Sequence, residues 1–185
     1  MTIIMERHQF TTADFARMRA SGILTEEDRV ELIDGEVRTM SPIGSLHAAI
    51  VNRLTRLLGQ HISADMMLSV QNPIQLNDYS QPQPDLMILH QRDDDYASGH
   101  PVADDIVLLI EVADTSISFD RDEKLPRYAL ANIAEVWLVD VSALVVEQYR
   151  EPRNGKYRVK TLFEYDDTIV VEQPALRVAV GQIFS

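Results

Sequence analysis

The sequence predicts a single α/β domain built around a mixed central sheet, and three observations carry that expectation. One clear amphipathic helix lies in "SLHAAIVNRLTRLLGQHI", and two nearly continuous apolar runs read as buried strands. The C-terminal part alternates apolar and polar residues like a set of hairpins. A chain of 185 residues suits one domain with a sizeable core, taken as residues 1–185.

Thr11 or Thr12 can cap a short helix through "ADFARMRASG", which Gly22 closes. "RVELIDGEVRTM" gives two extended runs around Asp34-Gly35, a dipeptide favoured in tight hairpin turns. Pro42 and Gly44 break the chain before the amphipathic helix. There Val51, Leu54, Leu58 and Ile62 recur at helical spacing, with Arg53, Arg56 and Gln60 on the other side. "MMLSVQNPIQLN" is extended and interrupted by Pro73. "PDLMIL" is a short apolar strand, while "DIVLLIEVA" and "EVWLVD" have the character of strands covered on both faces. Between those two, "DRDEKLPRYALAN" reads as a helix that Pro126 confines or starts. The remainder runs through "LVVEQYR", "KYRVKTLF" and "TIVVEQ", with Asn154-Gly155 at a hairpin turn.

Composition excludes several classes. No apolar run approaches the ~18 residues that a membrane-spanning helix needs. The opening "MTIIMERHQF" places charge before any apolar stretch and does not read as a secretory signal. There is no cysteine, which excludes disulfides, thiolate zinc sites and cysteine nucleophiles and suits a reducing cytoplasm. The formal net charge of -12 opposes tight binding to nucleic acid, where affinity comes from basic groups meeting phosphates. Part of that charge sits in "QRDDDYASG", which reads as a solvated loop, and no basic-aromatic platform for single strands is visible along the chain.

Glu111 is the most informative residue. It sits inside the apolar run "IVLLIEV", where a carboxylate costs several kcal/mol unless a cation or hydrogen bonds compensate it. On the local pattern alone it can equally end its strand facing water or an arginine. Asp85 opens the apolar run of "PDLMIL"; singly, Pro-Asp usually means a turn or a strand entry. Together, two neighbouring strands each offer one acid near an end. Two close carboxylates repel, and a hard divalent cation such as magnesium removes that repulsion. Lys124, in "FDRDEK", reads locally as a solvated surface lysine; beside a metal it could orient water and offset charge on a phosphoryl group. Glu31 and His47 read locally as hairpin and helix-cap polar residues. Walker-type, G-x-G-x-x-G, H-E-x-x-H and G-x-S-x-G patterns are all absent from the sequence, so a hydrolase built on Ser45 and His47 lacks its nucleophile elbow.

The ordered set "ELIDGEVRTMSP", a helix carrying His47, "QPQPDLMIL" and "LLIEVADTS…DRDEKLPRYALANIAEVWLVD" resembles the Uma-type restriction endonucleases over nearly the whole chain, through "VEQYR", "GKYRV" and "LRVAVGQIF". The resemblance implies a restriction-endonuclease-like fold of the PD-(D/E)xK superfamily, with Asp85 and Glu111 binding magnesium and Glu31 contributing from the first hairpin. The superfamily places its lysine two residues after the second acid, where this chain has Ala113. Lys124, on the following helix, is the matching position. "EVADTS" departs from the commoner "EVLSPS" but keeps Glu111 and Ser116.

The resulting expectation is a magnesium-dependent endodeoxyribonuclease, with manganese as a substitute. Asp85, Glu111 and the Val112 carbonyl hold the ion, Lys124 positions or activates water, Glu31 completes the metal shell or steers a second ion, and His47 contacts a phosphate. The first turn of a helix should let Lys124 reach back over the strand end, and removing it should spare folding. DNA is the expected partner, and a homodimer would suit double-strand cutting. The rival expectation, favoured by the acidic charge, is a non-catalytic interaction domain that keeps the nuclease fold.

Overall fold

The computed structural model describes residues 7–25, 27–172 and 175–185. Helix α1 (Thr12–Ala20) starts at a capping box in which Thr11 and Asp14 satisfy one another's backbone N–H groups. It leads to the hairpin β1 (Val30–Ile33) and β2 (Glu36–Thr39), then to α2 (Ser45–Gly59). The hairpin turns on Asp34 and Gly35, both at positive φ (49° and 76°), as the tight turn requires.

The central sheet has six strands in the order β3 (Met66–Val70), β4 (Leu86–His90), β5 (Ile106–Ala113), β6 (Glu135–Asp140), β7 (Val145–Arg153) and β8 (Lys156–Phe163). All neighbours are antiparallel except β5 and β6. That parallel pair needs a crossover, which is supplied by α3 (Ile117–Phe119), a π-helical turn (Asp120–Lys124) and α4 (Leu125–Leu130). A second small hairpin, β9 (Thr168–Val171) with β10 (Leu176–Ala179), and the short α5 (Gly181–Phe184) close the described fold.

The pleat of β5 divides the core. Leu108, Ile110 and Val112 pack with Ile50, Val51, Leu54 and Leu58 of α2, and Trp137 joins this layer. Leu109 and Ala113 point the other way, toward Leu125 and Tyr128 of α4. Glu111 belongs by alternation to that second face. The sheet therefore runs between α2 and α4, and the acid of β5 looks toward the crossover.

Two expectations need correction. Ile62 lies beyond the end of α2 and still packs, half-buried, against the core. Pro126 does fall in the first turn of α4, as expected, but the crossover helix as a whole begins earlier, at Ile117, and passes through the π turn. Proline has no N–H and cannot continue an i→i−4 ladder. The ladder widens just before it, with Leu125 N–H reaching back to the Asp120 carbonyl. "QRDDDYASG" is the solvated loop expected, folded on itself by Arg92 and Asp94 (Nε–Oδ1 2.5 Å). Among the described residues no helix is long and apolar enough to cross a membrane.

Candidate active site

The register of β4 against β5 pairs Leu86 with Ile110, so one further step sets Asp85 opposite Glu111. Asp85 shares the alternation of Met87 and Leu89, which lie in the layer of Leu109 and Ala113; both acids therefore face the crossover. Asp85 no longer pairs as a strand residue. Its Oδ2 accepts the Val112 N–H (2.9 Å) instead, while Oδ1 accepts from His47 Nε2 (2.8 Å) and Gln71 Nε2 (3.2 Å). Pro84 is the residue that would pair with Val112, and it has no N–H to give to the Val112 carbonyl. A strand residue turns its N–H and C=O to the same edge, so the Val112 carbonyl looks toward β4 with no ladder donor opposite.

Glu111 is 4% exposed, and its Oε1 accepts from Tyr128 Oη (2.6 Å) and Lys124 Nζ (3.3 Å). Lys124 is 6% exposed and not solvated; it also meets Glu31 Oε2 at 3.2 Å and Asp120 Oδ1 at 3.8 Å. Glu31 is fixed by the Gln83 N–H (3.1 Å), and Asp120 by the Ser116 hydroxyl (2.6 Å). The π turn sets Asp120 and Lys124 on one side, although the reach comes from this turn rather than from an ordinary first helical turn. One ammonium thus stands among three buried carboxylates.

Burial pushes the Glu111 carboxyl up to about 8, against the pull of Lys124. Burial also raises Asp120 above the ordinary carboxylate range. For Lys124 burial acts downward, but Glu111, Glu31 and Asp120 outweigh it and hold the amine well above its usual value. The hydrogen bond that His47 donates to Asp85 raises its pKa and favours imidazolium.

A cavity of about 550 Å³ opens over Glu31, His47, Asp85, Glu111, Asp120 and Lys124. Among the described residues, no three His, Asp and Glu side chains form a ready metal cage. A magnesium site of the kind that keeps several waters needs less. Both hydrogen bonds to Glu111 fall on Oε1, which leaves Oε2 with capacity for a cation. Asp85, Glu111 and the donor-free Val112 carbonyl are a fitting oxygen set.

All the residues singled out in the sequence, Glu31, His47, Asp85, Glu111, Val112 and Lys124, line this one cavity. Sequence reasoning missed Asp120, Tyr128 and Gln71. Asp120 had a signal, standing four residues before Lys124 and so on the same side of a helix. Tyr128 and Gln71 had none, because their roles arise only when the crossover and β3 meet the strand ends.

The six-stranded mixed sheet with its parallel β5–β6 unit, flanked by helices, is a nuclease-like fold, and two acids and a lysine gather at its strand ends. The chain belongs to the Uma2 family, described as "Putative restriction endonuclease", whose model matches residues 12–180. Among solved structures, a "putative nuclease" from Anabaena variabilis ATCC 29413 shares the fold with a TM-score of 0.77. That similarity covers 95% of this chain and 97% of the other at 16% sequence identity. A comparison with curated proteins finds no match.

Proposed function

We propose that the protein is a magnesium-dependent endodeoxyribonuclease that hydrolyses phosphodiester bonds. The observation that carries this reading is the pairing of Asp85 and Glu111 across β4 and β5, with Lys124 Nζ 3.3 Å from Glu111 Oε1. Family membership supports DNA as the substrate class.

In this reading Asp85 Oδ1 or Oδ2, Glu111 Oε2 and the Val112 carbonyl hold the cation. Bound there, the metal supplies charge neutralisation at the phosphate and a lowered pKa for the attacking water. Glu111 must give up its proton to bind, and Lys124 favours that ionised form. Tyr128 Oη fixes the carboxylate so that its second oxygen stays toward the cavity. Lys124 Nζ, turned from Glu31 or Asp120 toward a water, would orient that water in line with the phosphorus and offset charge as it builds. His47, whose protonation Asp85 favours, would donate to a non-bridging phosphate oxygen.

One observation favours the rival, a non-catalytic domain: the ammonium of Lys124 already bridges Glu31, Glu111 and Asp120, so the acids hold together without a metal. The separating experiment incubates supercoiled plasmid and single-stranded DNA with the protein and magnesium or manganese, beside Asp85→Ala. Metal-dependent cleavage absent from Asp85→Ala supports the nuclease; no cleavage with either ion sinks it.

A further inference from the structure

The acid cavity does not end at the acids. It shares Arg29, Met40 and Gln83 with a second cavity, of about 720 Å³, that extends beneath α1 to Arg19 and His100. The two together form one trough that crosses the base of the β1–β2 hairpin. Its charge differs from that of the molecule as a whole. Against a net charge of -12, the second cavity is lined by two arginines, Arg19 and Arg29, and one acid among the described residues, Asp28, while burial lowers the pKa of His100 and favours its neutral form. The Asp28 carboxylate is occupied within its own loop by Thr25 N–H (2.7 Å) and Thr25 Oγ1 (2.9 Å).

Arg29 stands at the junction. Its Nη1 donates to the Ser41 carbonyl (2.9 Å), and among the described residues it has no carboxylate partner. Toward either end of the trough a guanidinium lies over a phenylalanine ring. Arg38 is 5.5 Å from the Phe119 centroid in the acid cavity, and Arg19 is 5.0 Å from the Phe15 centroid in the second. Phe15 is buried beneath Arg19 and Phe119 is half-buried, so the guanidinium planes rather than the rings are the faces open to a ligand.

We propose that this trough is the track of a single DNA strand, with Arg29 docking the phosphate next to the one attacked. The inference rests on the nuclease reading and names its substrate form. Glu111 and Lys124 are 4% and 6% exposed, so a phosphodiester meets them only by descending into the cavity. A duplex is stiff over ~150 base pairs and carries its partner strand with it, which opposes such a descent. A single strand bends freely, and its unpaired bases can lie on the guanidinium planes of Arg38 and Arg19. The acidic surface elsewhere further disfavours the broad phosphate contact that duplex binding uses.

The test is binding, measured in EDTA so that nothing is cut. Fluorescence anisotropy compares a short labelled strand with the same sequence as a duplex, over a series of KCl concentrations. The single strand should bind at least about tenfold tighter, a ratio set by the loss of most duplex contacts. Arg29→Ala should weaken single-strand binding and reduce the slope of log K against log salt by about 0.7, one strand phosphate contact. Arg29→Lys, which keeps the charge and guards against misfolding of the alanine variant, should retain that slope. Equal or tighter binding of the duplex overturns the proposal, and so does an unchanged slope in Arg29→Ala. Strand binding that behaves as described, without cleavage under any metal, would defeat the nuclease reading while leaving the track in place.

Discussion

Lys124 Nζ lies 3.3 Å from Glu111 Oε1 although 13 residues separate them, and the contact is buried rather than solvated. This pairing sets the first prediction, and it revises the expectation that the lysine could be removed without harm to folding. Lys124→Ala leaves Glu31, Glu111 and Asp120 facing one another. Breaking a buried pair in this way costs about 3–5 kcal/mol. Denaturant unfolding without metal should show that loss. Single-turnover cleavage at saturating metal, below the variant's melting temperature, should fall by ~10²-fold or more. Equal cleavage rates for wild type and variant would remove Lys124 from the catalytic site.

Magnesium or manganese should stabilise the wild type. At 100 times its dissociation constant the ion adds about 2.7 kcal/mol. Glu111→Gln should lose most of this gain, since the amide offers the cation a neutral oxygen. A melting temperature indifferent to both ions in the wild type would count against the metal site.

The metal-free protein should weaken as pH rises. Glu111 has a folded pKa of about 8 against an ordinary 4.5, so between those values the folded chain binds one more proton than the unfolded chain. Stability from this group is complete below about 4.5 and is lost as pH climbs through about 8. Glu111→Gln should flatten that part of the pH–stability curve. A curve for the variant that parallels wild type would show that Glu111 is already ionised when unliganded.

Gly35→Ala should damage both the hairpin and the site. Gly35 is at φ 76°, and an added Cβ would lie 2.5 Å from the Gln9 Cβ. The combined strain is on the order of 1–3 kcal/mol. Because β1 carries Glu31, thermal melting should report a loss of stability and cleavage assays a lower rate. Wild-type values in both would mean that the turn adapts freely.

The layers of this fold were legible in the sequence because hydrophobic period is a local property. Val51, Leu54 and Leu58 mark one helix face, and the run from Ile106 to Val112 marks a strand covered on both sides. The hairpin at Asp34-Gly35 was legible for the same reason, since its backbone angles are set by two residues. Asp85 and Glu111 could be named as a pair, but their registration depends on Leu86 meeting Ile110, a long-range event. Lys124 looked like surface because its neighbours in sequence are charged. Its burial comes from the hairpin bringing Glu31 to it from the far side. The π turn was not legible at all: Pro126 was visible, but the response of the chain to a missing N–H could have been a break, a start or a widened turn.

That widened turn has a consequence for how this protein tolerates insertions and deletions. The crossover carries a surplus residue between Asp120 and Lys124, and removal of one residue there would restore a regular α-helix. By backbone geometry the shortened chain would be the better helix. A π turn takes up its extra residue locally, so the same deletion would leave the helix on either side in nearly its present facing. Asp120 and Lys124 would then stand three residues apart, a spacing that still sets both on one side of the helix. The crossover can therefore lose a residue at this point without dismantling the acid–lysine cluster, whereas the same loss from the regular turns of α4 would rotate its flanks by about 100°.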